Sequence, residues 1–194
     1  MVASILVDVI VNYKNSRSLW RAYDTILKDI SPDKEMPDVL LGKACIRGAK
    51  DWDPSLCLRI LMSYPKIMSA TDGVSFAIEI IVSGMENTTT TLRYIYGRLN
   101  GTTMSPVPRR VLEICASSFK KAFSSFVSAN IDLSKGDYER GDYYLFIVYD
   151  QVERCGYYLS KYNVEDPVIS TGMRYVTYFS QPALNIVEDI IESP

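Results

Sequence analysis

Ser75-Phe76-Ala77-Ile78-Glu79-Ile80-Ile81-Val82-Ser83 is the stretch on which the fold turns. Read at period two, it sets Phe76, Ile78, Ile80 and Val82 on one side and Ala77, Glu79 and Ile81 on the other, the pattern of a strand. Residues 84–87 then offer a turn, and Thr88-Thr89-Thr90-Thr91 follows. Four β-branched side chains in a row favour extended backbone, so 89–96 reads as an antiparallel return. The threonines are sheet surface in this reading, ahead of any phosphorylation or contact site.

Downstream, Gly101, Thr102, Thr103, Ser105, Pro106 and Pro108 crowd together, and 100–108 is expected to be a flexible internal loop. Val111, Ile114, Cys115, Phe119, Ala122, Phe123 and Phe126 then recur at helical spacing and predict a helix over 108–126. Residues 143–149, 157–162 and 173–179 read as further strands, with an acidic loop at 134–142 and a helix-like spacing at 182–191. Upstream, 4–13 reads as a strand and 19–30 as an amphipathic helix, while 39–46 is apolar but of ambiguous type. Asp53-Pro54 is a clear helix start, an N-cap followed by a proline whose absent N–H loses nothing in the first turn. That helix ends before Pro65. The sum is an α+β fold: an antiparallel sheet of about five to seven strands packed with three or four helices, in one compact domain over 1–194.

The chain has 194 residues, a formal charge of -2 and no histidine. That removes the usual acid/base near neutral pH and the commonest metal ligand. The charge is unevenly spread: residues 98–130 hold five basic side chains against one acidic, and 131–194 hold five against eleven. Cys45, Cys57, Cys115 and Cys155 are far apart with no CxxC, so buried free thiols in a reducing compartment are expected rather than a zinc site. No stretch approaches the roughly 18 apolar residues of a membrane span. The opening Val2-Ala3-Ser4-Ile5-Leu6-Val7 meets Asp8 at once and does not read as a signal peptide. Asn87-Thr88-Thr89 and Asn100-Gly101-Thr102 match glycosylation acceptors; without an export signal they read as turn residues.

Phosphate-binding glycine motifs and GxSxG are absent, and the pairs Asp51/Asp53, Asp137/Glu139 and Asp150/Glu153 have no catalytic frame. No enzyme activity, catalytic residue, metal or cofactor is assigned. Two features point to contact instead. Arg109-Arg110 and Lys120-Lys121 are eleven residues apart, a helical rotation only about 20° beyond whole turns, so they form a basic ridge with Ser117 between. An ordinary solvated face accounts for it; contact with RNA phosphates, with anionic membrane headgroups or with another copy of the chain are the functional readings. Fourteen tyrosines are the second feature. Tyr138, Tyr143, Tyr157 and Tyr158 are candidates for a protein-binding face, with strand packing as the simpler account. Their acidic neighbours argue against RNA there.

The order of strand, helix from Arg17-Ser18-Leu19-Trp20, loop, short helix and β-rich half resembles the matrix proteins of rhabdoviruses. The resemblance rests on residues 7–30 and on 131–150, where Lys135-Gly136 and 144–150 are similar to a late sheet segment. It implies a non-enzymatic viral structural protein that self-associates and bridges nucleocapsid and anionic membrane. Its place would be the infected cell's cytoplasm and the inner face of the viral envelope. The family's PPxY and PTAP motifs are absent, as is a basic leading arm. The alternative is an RNA- or protein-binding regulatory module without assembly function.

Overall fold

The computed structural model describes residues 36–48, 52–101 and 104–192. Among them 86% are helical and none is in a strand. The stretch 75–83 is the opening of a 29-residue helix. In chain order the helices are α1 (Met36–Cys45), α2 (Pro54–Met62), α3 (Pro65–Met68), α4 (Gly73–Gly101), α5 (Pro106–Ser134), α6 (Tyr138–Lys161) and α7 (Pro167–Glu192).

Asp72 starts α4: its Oδ1 accepts the Ser75 N–H at 2.8 Å, while the Ser75 Oγ accepts the Asp72 N–H at 3.2 Å. This reciprocal cap satisfies two donors of the first turn, and the Ser75 amide holds the Asp72 carboxyl below its usual range. Buried positions then fall at Phe76, Ile80, Gly84, Thr88, Thr91 and Ile95, three or four apart throughout. The threonine run joins the helix by bonding backwards. Thr88, Thr89, Thr90 and Thr91 each donate their hydroxyl to the carbonyl four residues earlier, at 2.6–3.1 Å. The hydroxyl thus finds a partner inside the helix and leaves the ladder intact.

Helices α4, α5, α6 and α7 pack in a closed ring, each against the next and α7 against α4. Antiparallel order shows in who meets whom. A side chain at Gly84 would strike Phe126 across α4–α5, one at Gly141 Leu133, one at Gly156 Met173, and one at Gly172 Thr91. Gly172 lets α7 approach α4 so closely that a methyl group there would overlap the threonine. Phe76, Phe119, Phe126 and Phe179 fill the centre and are fully buried.

Short connections enforce the reversals. After α5, Gly136 takes a left-handed φ of 79°. Its N–H reaches the Leu133 carbonyl, and the Asp137 N–H reaches that of Asp132. After α6, Asn163 does the same at φ 51°, with its N–H on Ser160 and the Val164 N–H on Leu159. Both are glycine-type helix ends that cap otherwise orphaned carbonyls. Asp166 then caps α7 through the Val168 and Ile169 N–H groups, each at 3.1 Å. Its second oxygen accepts from Tyr94 and from Arg98, tying the end of α4 to the start of α7.

Helices α1 and α2 form a hairpin laid on α7. Buried Asn185 donates to the Ala44 and Arg47 carbonyls at 2.7 and 2.8 Å. Trp52 stacks on Tyr178, with centroids 4.4 Å apart, and donates to the Cys45 carbonyl.

The sheet expectation is therefore corrected. Residues 75–83, 89–96, 143–149, 157–161 and 173–179 all lie within helices, with Tyr162 as the C-cap of α6, because burial repeats every three to four residues and not every two. The strand at 4–13 and the helix at 19–30 lie outside the described residues. Asn100 and Gly101 close α4, and Pro106 and Pro108 belong to α5, which leaves Met104 and Ser105 as the described part of the 100–108 loop. The helix at 108–126 is present and runs on to Ser134. The Asp53-Pro54 start is present as read, with Asp53 Oδ1 accepting the Ser55 and Leu56 N–H groups. The cysteines are buried but not free: Cys45 pairs with Cys57, and Cys115 with Cys155. No described helix is long and apolar enough to cross a membrane.

Candidate protein-binding face

Helix α6 turns Leu145, Val148, Val152, Cys155 and Leu159 inward. At 100° per residue this leaves positions 143, 146, 150, 153, 154, 157 and 161 on the outer side. Three of them are large aromatics set well out from the bundle: Tyr143 is 60% exposed, Phe146 58% and Tyr157 58%. From Tyr143 to Tyr157 the stripe runs about 21 Å along the helix. Asp150, Glu153 and Arg154 lie within it, and Lys161 closes it, its ammonium 5.4 Å from the centroid of Tyr157 and 5.8 Å from that of Tyr162. Contact with Tyr157 favours the charged lysine and moves its pKa up. The Cys115–Cys155 disulfide ties the same helix to α5, so the stripe sits on a braced support.

The four tyrosines singled out from sequence divide in two. Tyr143 and Tyr157 stand in the stripe. Tyr138 and Tyr158 are half-buried against the core, Tyr158 edge-on to Tyr157 at 5.2 Å. Phe146 was missed. Read as a strand, 143–149 groups Tyr143 with Leu145 and sends Phe146 to the other face; helical phase would have joined it to Tyr143 and Tyr157.

The basic ridge exists on α5, and its cations are exposed, but two of the four share one carboxylate. Arg109 and Arg110 both pair with Glu113, each at 3.4 Å, and Arg109 also donates to the Leu99 carbonyl. Lys120 and Lys121 enter no ion pair among the described residues. Beside them an open groove of about 490 Å³ lies between α4 and α5, lined by Val82, Met85, Phe123 and Val127 with Glu86 and Arg93 at its edges.

On the side of the bundle shared by α6 and α7, Asp142 has one buried oxygen without a hydrogen-bond partner. Burial, and secondarily the charge of Glu188, push its carboxyl above the ordinary range. Among the described residues no group of three or more Cys, Asp or Glu is placed to hold a metal ion.

What these parts define is a disulfide-stapled four-helix bundle carrying a helical hairpin, with an exposed aromatic stripe along α6. No protein-family model and no curated protein sequence matches the chain. Among solved structures the chain is similar to a mutant form of a pectin methylesterase inhibitor from Arabidopsis: 17% identity, TM-score 0.68, 76% of this chain and 95% of that one. A second structure, of a pectin methylesterase inhibitor from Arabidopsis thaliana, matches at 18% identity and TM-score 0.59 over 76% of this chain and 93% of that one. At such identity the likeness is one of fold. It overturns the rhabdovirus matrix resemblance and the virion role drawn from it. The segment 131–150 behind that resemblance is the end of α5, the Gly136 turn and the first half of α6, with no sheet.

Proposed function

We propose that this chain is a non-enzymatic, protein-binding regulatory module: an inhibitor-like bundle that docks α6 onto a partner enzyme. The carrying observation is the exposed stripe of Tyr143, Phe146 and Tyr157 on a disulfide-braced helix. Rigid aromatics give contact area at little entropic cost, the two tyrosines add a polar tip, and aromatic anchors carry much of the binding energy at interfaces. The fold shared with the two pectin methylesterase inhibitor structures supports a partner of that enzyme class. Two disulfides support work in an oxidising compartment, where such bonds persist, in preference to the cytoplasm. The ridge on α5 has no part in this contact; two of its four cations already face Glu113.

The test is titration of the folded chain against a pectin methylesterase, reading residual activity and complex formation. Replacing Phe146 and Tyr157 together by alanine should weaken the complex at least tenfold, about 1.4 kcal/mol, with an unchanged melting temperature. Equal binding by the double variant would move the contact off α6. No binding by the parent chain would remove this enzyme class as the partner.

A further inference from the structure

The two glycosylation acceptors part company in the structure. Asn87 lies mid-helix in α4, half-buried, and both amide hydrogens are spoken for: Nδ2 donates to the Tyr64 hydroxyl at 3.0 Å and to the Ser83 carbonyl at 3.1 Å. Asn100 is exposed on the last turn of α4, at one end of the bundle, and its side chain has no hydrogen-bond partner among the described residues. Gly101 follows it, and no described residue lies within 4 Å of where its Cβ would stand. Thr102 completes the motif by identity and lies outside the described residues.

We infer that Asn100 carries an N-linked glycan and that Asn87 does not. This rests on the oxidising-compartment reading above, since glycan transfer and disulfide formation share that compartment. In the transfer the Asn100 Nδ2 attacks C1 of the first sugar of a lipid-pyrophosphate-linked oligosaccharide. The N–C1 bond forms as the bond from C1 to the pyrophosphate oxygen breaks. The amide gives up one proton as the lipid pyrophosphate leaves. Transfer acts on the emerging chain, so the fold decides which glycan the finished protein can hold. At Asn100 the sugar projects into solvent. At Asn87 it would displace the Tyr64 hydrogen bond and part α3 from α4.

The full chain, produced behind a cleavable export signal in a yeast or plant host, is purified from the medium. Intact mass is measured before and after peptide N-glycosidase, with disulfide mapping on the same sample. The expected result is one glycan per chain, mapped to Asn100 by its conversion to aspartate on release. It should be lost in Asn100→Gln and in Thr102→Ala and retained in Asn87→Gln. An unmodified chain with both disulfides formed would overturn the site and leave the compartment reading standing. A glycan at Asn87 would overturn it as well. Four free thiols would overturn the compartment reading and the site with it.

Discussion

Asp142 shows how one side chain carries a cost that the fold accepts. It sits half-buried on α6 with an unpartnered oxygen and with the Glu188 carboxylate acting on it from α7. Its folded pKa therefore lies above its unfolded one. For such a carboxyl the favourable contribution is complete below the unfolded value and is lost as pH rises through the folded one. At neutral pH the charge works against folding. Asp142→Asn should make the protein more stable at pH 7, and the advantage should shrink as pH falls into the carboxylate range. Urea unfolding of both proteins at pH 7 and pH 4 checks this; a variant less stable at pH 7 would contradict it. Other single residues were legible from the start. Asp53 was read as an N-cap because its side chain precedes a proline, and nothing beyond those two residues is needed for that geometry.

At the scale of the element, α4 is where sequence reading failed. Residues 75–83 satisfy period two and period 3.6 together: Phe76 and Ile80 lie on one face by either count. Further on, Thr88 to Thr91 tip propensity towards strand. What decided for helix was the continuation, since Gly84, Thr88, Thr91 and Ile95 extend the Phe76–Ile80 row while alternation stops at Ser83. A window of 20 residues would have shown it; a window of nine did not. The exposed Thr90 gives a direct test. In a helix alanine is the better former, so Thr90→Ala should raise stability by about 0.5 kcal/mol. In a strand it should lower it. Chemical denaturation tells the two apart. Helix α5 was legible over 108–126 because its phenylalanines and alanines fit no period but the helical one, with Phe119, Ala122 and Phe126 fully buried, while its last two turns to Ser134 were not.

For the whole molecule the disulfides divide the work. Cys115–Cys155 ties α5 to α6 across a separation of 40 residues, and Cys45–Cys57 closes the α1–α2 hairpin across 12. Loop closure in the unfolded chain makes the longer bridge worth about 4 kcal/mol and the shorter about 3 kcal/mol. Cys115→Ser with Cys155→Ser should lower global stability by nearly the full amount. Cys45→Ser with Cys57→Ser should mainly free the hairpin from α7, seen as fast amide exchange at α1 and α2 with the bundle still protected. Uniform loss of protection in both variants would mean that hairpin and bundle unfold as one unit.

The sequence by itself determined the local events: the Asp53 cap, the amphipathic α5 over 108–126, and the presence of tyrosines in excess of a core's needs. These depend on neighbours a few residues away. The tertiary structure decided the rest. Whether 75–96 and 143–162 became strands or helices depended on which partners lay alongside, because β-branched and aromatic side chains pack well on either backbone and their intrinsic preferences are worth less than burial in a ring of four helices. The Cys115–Cys155 pairing followed from that ring, which brings positions 40 residues apart within bonding reach, and Cys45–Cys57 followed from the α1–α2 hairpin. The α6 stripe followed too: Phe146 joins Tyr143 and Tyr157 only when the chain turns 100° per residue and the opposite face is held by α5 and α7.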